Sequence, residues 1–148
     1  VIRVLVVEDG FEYSETLPRF LPELGWERVG TGAEALTRLA AGGVDVVFLD
    51  MRFDRIAPDA LLGDLAAETR RLGDAVRARR HLEEHQGTYI LSAIRAAGLA
   101  TPVLLSYGFD EEPRRWERLS ATLGPVDYVP DAAGPDVVRA RLLALAAR

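Results

Sequence analysis

The chain has 148 residues, 49% of them hydrophobic and 28% charged, with a net charge of −5; this is the profile of one ordinary globular domain rather than two. Cys is absent, which excludes disulfides, thiolate metal sites and cysteine nucleophiles together. All 18 basic side chains are arginine, so no lysine amine can take part in the chemistry, and the acidic balance argues against nucleic-acid binding through bulk charge.

Ile2 to Val7 is a short β-branched run that ends at Glu8-Asp9-Gly10, as a buried strand meeting a turn does. Phe11 to Leu24 has helical spacing, weakened by Pro18 and Pro22, and Gly25 is expected to close it. Trp26 to Val29 reads as a brief strand, and Ala33 to Ala41 as a helix ended by Gly42-Gly43. Val44 to Leu49 is a continuous apolar strand that delivers Asp50 at its carboxyl end. Further on, Thr88 to Ala97 is a helix stopped by Gly98, Pro102 to Ser106 a fourth strand, and Glu111 to Leu123 a polar helix started near Pro113. Val126 to Val129 is a fifth strand and Pro135 to Ala147 a last helix. Strands that alternate with helices and read as unbroken apolar runs predict a parallel sheet covered on both faces. The expected architecture is α/β, doubly wound and flavodoxin-like, with strand order 2-1-3-4-5. No apolar run approaches the ~20 residues of a membrane span, and no charged-then-apolar leader opens the chain; a cytoplasmic location is expected.

The 36 residues between Asp50 and Gly87 exceed what such a loop needs, about 4–6. Leu61, Leu62, Leu65, Leu72 and Val76 fall on one helical side, with acids and arginines on the rest. The segment reads as one long helix, or two broken near Gly73, inserted between the third strand and the helix that follows it in the fold. The expected organisation is one domain over 1–148 with a helical insertion at 55–86.

Ligands of an open parallel sheet bind at the carboxyl ends of its strands. Glu8 and Asp9 arrive there from the first strand and Asp50 from the third, which is its neighbour in the expected order. Three clustered acids repel one another unless a cation neutralises them, and an all-oxygen set suits Mg²⁺. The bland alternative is that each acid merely ends its strand or caps the next helix.

Four segments together resemble the receiver domain of two-component response regulators. Val4-Leu5-Val6-Val7-Glu8-Asp9 is similar to that family's first strand with its acidic pair, and Val44 to Arg52 to the strand that presents its phospho-accepting aspartate. Thr101 to Ser106 is similar to the fourth strand with its switch hydroxyl, and Asp127-Tyr128-Val129 to the fifth with its switch aromatic. The resemblance covers everything except the insertion. It implies that Asp50 takes a phosphoryl group from a histidine kinase, a phosphotransfer protein or a small phosphodonor. It implies that Glu8, Asp9, Asp50 and the backbone carbonyl of Arg52 hold Mg²⁺. Ser106 would hydrogen-bond the new phosphoryl group and Tyr128 would turn inward to follow it. Such a chain is a signalling domain rather than an enzyme.

Two departures qualify the resemblance. The family's lysine after the fifth strand falls here on Asp131, or on Val129 if Pro130 sets the alignment, and neither is a cation. Only an arginine could substitute: Arg52 or Arg55 nearby, or Arg70, Arg71, Arg77, Arg79 or Arg80 if the insertion folds back as a lid. Position four after Asp50, usually proline in the family, is Asp54. The insertion has three open uses: a lid, a dimer arm, or a docking surface for a protein partner.

His81-Leu82-Glu83-Glu84-His85 matches the H-x-x-E-H pattern of inverted zinc peptidases, and histidines at i and i+4 can share a metal. The pattern is short and no third ligand has a clear context. Asp50-Met51-Arg52 lacks the second aspartate of dehalogenase-type phosphatases, no glycine-rich phosphate loop follows the first strand, and no DNA-binding motif is present. Two functions of different class stay open. One is an Mg²⁺-dependent phosphoacceptor switch; the other is a phosphorylation-independent pseudo-receiver that works as a protein-interaction module.

Overall fold

Five strands form one parallel sheet in the order β2-β1-β3-β4-β5, with β1 at Arg3–Val7, β2 at Gly25–Val29, β3 at Val46–Asp50, β4 at Val103–Ser106 and β5 at Val126–Val129. These assignments come from a computed structural model that describes residues 1–148. The predicted order is the one observed, and each strand lies within two residues of its expected bounds, the third starting at Val46 rather than Val44 and including Asp50. Because side chains alternate across a strand, each strand feeds two cores. Leu5, Val7, Val47, Leu49, Val103 and Leu105 face one way, while Val4, Val6, Val46, Phe48, Leu104 and Val129 face the other.

Helices cover both faces. Against the second set pack α1 (Glu12–Phe20) and α7 (Pro135–Ala146), through Leu17, Val138, Leu142 and Leu145. Against the first set pack α2 (Gly32–Ala40), α5 (Gln86–Ala96) and α6 (Pro113–Leu123), through Leu39, Ile90, Ile94 and Leu119. A buried side chain of this size stabilises the fold by about 1.5–3 kcal/mol, so the two cores carry most of the stability.

The first helix is shorter than expected. It stops at Phe20, just before the buried Leu21, and Pro22 cannot supply the N–H that continuation needs. Gly25 does not close it; that residue opens β2 and donates its N–H to the Ile2 carbonyl at 2.8 Å.

Between β3 and α5 lie a 3-10 turn at Pro58–Ala60, α3 (Leu65–Leu72) and α4 (Ala75–Glu84). The break falls at Gly73, whose left-handed φ of +72° ends α3 while its N–H reaches the Thr69 carbonyl at 2.7 Å. Asp64 caps α3 through the Ala67 N–H, and Asp74 caps α4 through the Val76 and Arg77 N–H groups. The expected apolar side is only partly buried. Leu61 and Leu82 enter the first core, whereas Leu65 is exposed and Val76 is 66% exposed.

Candidate functional site

Alternation along the strands decides what points where at their carboxyl ends. Asp50 is two residues past Phe48 and Ser106 two past Leu104, so both emerge on the face that α1 covers. The two are also register partners across β3 and β4. They open into a cavity of about 660 Å³ whose lining includes Asp9, Glu12, Tyr13, Asp50, Ser106 and Asp131.

Asp50 is the most perturbed acid. Burial, opposed by one hydrogen bond from the Met51 N–H at 2.9 Å and reinforced by repulsion from Asp9, Glu8 and Glu12, pushes its carboxyl up from 3.8 to about 7. Asp9 also faces the cavity, and its Oδ2 accepts the Asp54 and Arg55 N–H groups at 2.9 and 3.0 Å, pinning the loop after β3 to the loop after β1. Across the same gap Arg55 pairs with Glu12 at 2.5 Å.

Glu8 is placed differently from the expected metal-ligand position. It is 1% exposed and turned under α1, where Oε1 accepts the Tyr13 N–H at 3.2 Å and Oε2 the Ser14 N–H at 2.8 Å. Those are helix-start amides with no partner inside the helix, and a carboxylate is well suited to them. Burial nevertheless raises the Glu8 pKa, with the two amides acting against it. Its charge is felt at Asp50, but its oxygens are engaged with α1 rather than with the cavity.

The donor set that remains is Asp9, Asp50 and the Arg52 carbonyl, which accepts no hydrogen bond from the protein. Hard oxygens on a site with surplus negative charge fit Mg²⁺, which takes one or two carboxylates and keeps several waters.

Ser106 is where the sequence places it, 3% exposed and at the cavity wall. Tyr128 does not line that cavity. It shares strand parity with Val126, so its ring leaves β5 on the α6 face, edge-on to Phe109 and Trp116 at 5.2 and 4.8 Å. Its hydroxyl donates to Asp110 Oδ1 at 2.5 Å, and that bond is the main reason its pKa is raised. Asp131 lies on the cavity side and Val129 is buried in the core, so the position without a cation is occupied by an acid.

Sequence reasoning missed Tyr13, whose hydroxyl is 2.8 Å from Ser106 Oγ. It also missed Glu12, and it read His85 only as half of a zinc-peptidase pattern, whereas His85 lines the cavity with its Nδ1 3.0 Å from Arg115 Nη2. Burial and the Arg115 charge hold the His85 pKa below its usual value, so the neutral ring accepts from Arg115. The one available signal for Tyr13 was its place in the first turn after the Glu8-Asp9 strand end. His81 and His85 are close, ring centroids 4.4 Å apart, yet His85 commits Nδ1 to Arg115. Arg70, Arg71, Arg77, Arg79 and Arg80 do not reach the acid cavity. Arg71 pairs with Glu68 and Arg79 with Glu83, so no arginine lid forms. What reaches the rim is the end of α4, at Glu84 and His85.

No protein-family model matches the sequence, and no curated protein matches it. Solved structures do match its fold. The receiver domain of a Francisella response regulator superposes with a TM-score of 0.68 at 18% identity, covering 100% of this chain and 98% of that one. The chemotaxis protein CheY4 of Vibrio cholerae gives 0.64 at 16% identity, with 98% of each chain covered. The receiver domain of a signal transduction histidine kinase from Syntrophus aciditrophicus gives 0.63 at 19% identity, over 99% of this chain and 91% of that one. The chain has the fold of response-regulator receiver domains. No helix is long and apolar enough to cross a membrane.

Proposed function

We propose that the chain is a signal-transduction receiver in which Asp50 accepts a phosphoryl group, with Mg²⁺ held by Asp9, Asp50 and the Arg52 carbonyl. The observation that carries this reading is the convergence of Asp50, Asp9 and Ser106 in one cavity at the carboxyl ends of β1, β3 and β4. The donor is a phosphohistidine on a kinase or phosphotransfer protein, or a small acyl phosphate, and the work is done in the cytoplasm. Residues 55–86 are an addition to a receiver-like domain spanning 1–148, and the exposed Leu65 and Val76 offer a face for a protein partner or a second copy.

Asp50 reacts as the carboxylate. One Oδ attacks phosphorus, the bond from phosphorus to the donor breaks, and its electron pair leaves with the donor. Bound Mg²⁺ supplies positive charge to the phosphoryl oxygens, the dominant need in such transfers. Asp9 holds the loop after β3 in place through the Asp54 and Arg55 amides, which sets the position of the Arg52 carbonyl. Ser106, beside Asp50 on β4, donates to a phosphoryl oxygen. Glu8 fixes the start of α1. Tyr128, outward on Asp110 here, turns in when Ser106 is drawn to the phosphoryl group.

A second reading is favoured by Asp131 on the cavity wall in a chain without lysine. An acid there repels an aspartyl phosphate, and a scaffold that kept the fold but not the transfer would work by protein contact alone. Intact-mass measurement after incubation with acetyl phosphate and Mg²⁺ separates the two. The phosphoacceptor reading expects a gain of about 80 Da that Asp50→Asn abolishes. No gain in the wild type leaves the pseudo-receiver reading, and a gain that persists in Asp50→Asn assigns the wrong nucleophile.

A further inference from the structure

One hydroxyl in the acid cavity has no part in the mechanism above. Tyr13 sits in the first turn of α1, its N–H accepted by the buried Glu8 carboxylate at 3.2 Å and its ring edge-on to Phe48 with centroids 4.8 Å apart. Those two contacts hold backbone and ring, and between them they set where the phenol oxygen goes. It lies 2.8 Å from Ser106 Oγ, on the cavity wall that also carries Asp50 and Asp131. Burial raises the phenol pKa; the Ser106 bond acts against this, while Asp50, Asp131 and Glu8 add to it. The phenol therefore keeps its proton and remains a donor.

We propose that Tyr13 is a catalytic residue of this site: its O–H and the Ser106 O–H form a two-hydroxyl donor pair that hydrogen-bonds the phosphoryl oxygens arriving on Asp50. The proposal rests on Asp50 being the acceptor. A phosphoryl group brings charge to a wall already lined by Asp9, Glu12 and Asp131. The two arginines of the cavity are committed elsewhere, Arg52 to Asp54 at 3.0 Å and Arg55 to Glu12 at 2.5 Å. Neutral O–H donors stabilise the transferring oxygens without needing a lysine amine. Before transfer the two hydroxyls satisfy each other, so neither is a buried orphan. On transfer each turns to a phosphoryl oxygen. Asp50 Oδ bonds to phosphorus, the phosphorus–oxygen bond of acetyl phosphate breaks, and acetate leaves with the electron pair; Tyr13 and Ser106 keep their protons throughout.

The test is the rate of the 80 Da adduct from acetyl phosphate and Mg²⁺ in wild type, Tyr13→Phe, Ser106→Ala and the double variant. Tyr13→Phe retains the ring against Phe48 and loses only the oxygen. The expected result is an adduct rate lower by about 10–100-fold, at saturating Mg²⁺ and with the Mg²⁺ midpoint unchanged. The double variant should lose less than the product of the single losses, because the hydroxyls act as a pair. If wild type forms the adduct and Tyr13→Phe forms it equally fast, the donor pair is wrong while the phosphoacceptor reading stands. A deficit that disappears at saturating Mg²⁺ assigns Tyr13 to metal binding and also overturns the proposal. No adduct in wild type overturns both together.

Discussion

At the amino-terminal edge of β4 and β5 a single guanidinium, Arg95, donates to the carbonyls of Leu99, Thr101, Leu123 and Pro125, each within 2.9 Å. At the carboxyl edge of the same sheet six carboxylates, those of Asp9, Glu12, Asp50, Asp54, Glu84 and Asp131, line one cavity. The first arrangement places one charge among four acceptors and leaves nothing to react. Burial lowers the Arg95 pKa and no acid sits beside it, so its work is to satisfy backbone groups that helix and strand ends leave open. The second arrangement crowds like charges and leaves Asp50 half-protonated near neutrality. Stability is concentrated at one end and reactivity at the other, as expected when perturbed groups collect at a site.

Removing the satisfied charge should do the most damage. Arg95→Ala takes the guanidinium from the Leu99, Thr101 and Leu123 carbonyls, while Pro125 keeps the Val103 N–H, and is expected to cost about 3–4 kcal/mol. Urea unfolding measures it, and a loss under about 1 kcal/mol would mean that water replaces the guanidinium and the contrast between the ends is weaker than drawn. Arg95→Lys should recover little, because an ammonium cannot span four acceptors in a plane.

Next in size is Gly87→Ala, at the acid end. The Gly87 N–H donates to the Met51 carbonyl at 2.9 Å, and a Cβ there would lie 2.6 Å from the Asp50 carbonyl oxygen. Both neighbours are backbone, so β3 or α5 must move. A loss of about 2–3 kcal/mol is expected, together with slower adduct formation, since Asp50 moves with its carbonyl. Unchanged stability and rate would show that the end of β3 is soft.

The contrast between the ends also separates what the residue string shows from what it hides. β-branched runs and their spacing reveal the strands, and the shift from continuous apolar runs to helical spacing reveals the parallel sheet, because both patterns are imposed by local geometry. Asp50, Asp9 and Ser106 were legible since each lies at or just past the carboxyl end of a strand, and in a parallel sheet all carboxyl ends meet. Which way Tyr128 faces before any transfer was not legible, because strand parity has to be counted from Val126 and Val129, which the motif alone does not do. Tyr13 was not seen, His85 was read only as half of a short histidine pattern, and Arg95 was not seen. Their partners lie 93, 30 and up to 30 residues away, and no local pattern records a contact across such separations. The exposure of Val76 was missed for a related reason. A helical stripe predicts a buried face only when something lies opposite, and the α3–α4 pair covers just part of its own.

The smallest expected effect, Asp50→Asn, carries the opposite sign from the other two. Between its ordinary 3.8 and about 7 the folded state holds a proton on Asp50 that the unfolded chain has already released. Stability therefore falls as pH rises through that window and is level above it. The ceiling on this penalty is about 4 kcal/mol, and water entering an open cavity should reduce it to about 1–3 kcal/mol. Asp50→Asn removes the ionisable group, so in chelator it should raise the thermal midpoint at pH 8 and have almost no effect at pH 4. Mg²⁺ should then stabilise wild type at pH 8 and not the variant, because the cation relieves the same repulsion that the amide removes. Equal midpoints for the two proteins at pH 8 in chelator would break the comparison at its centre. The acid end would then be hydrated rather than strained, and the charge on Asp50 would need no cation to hold it.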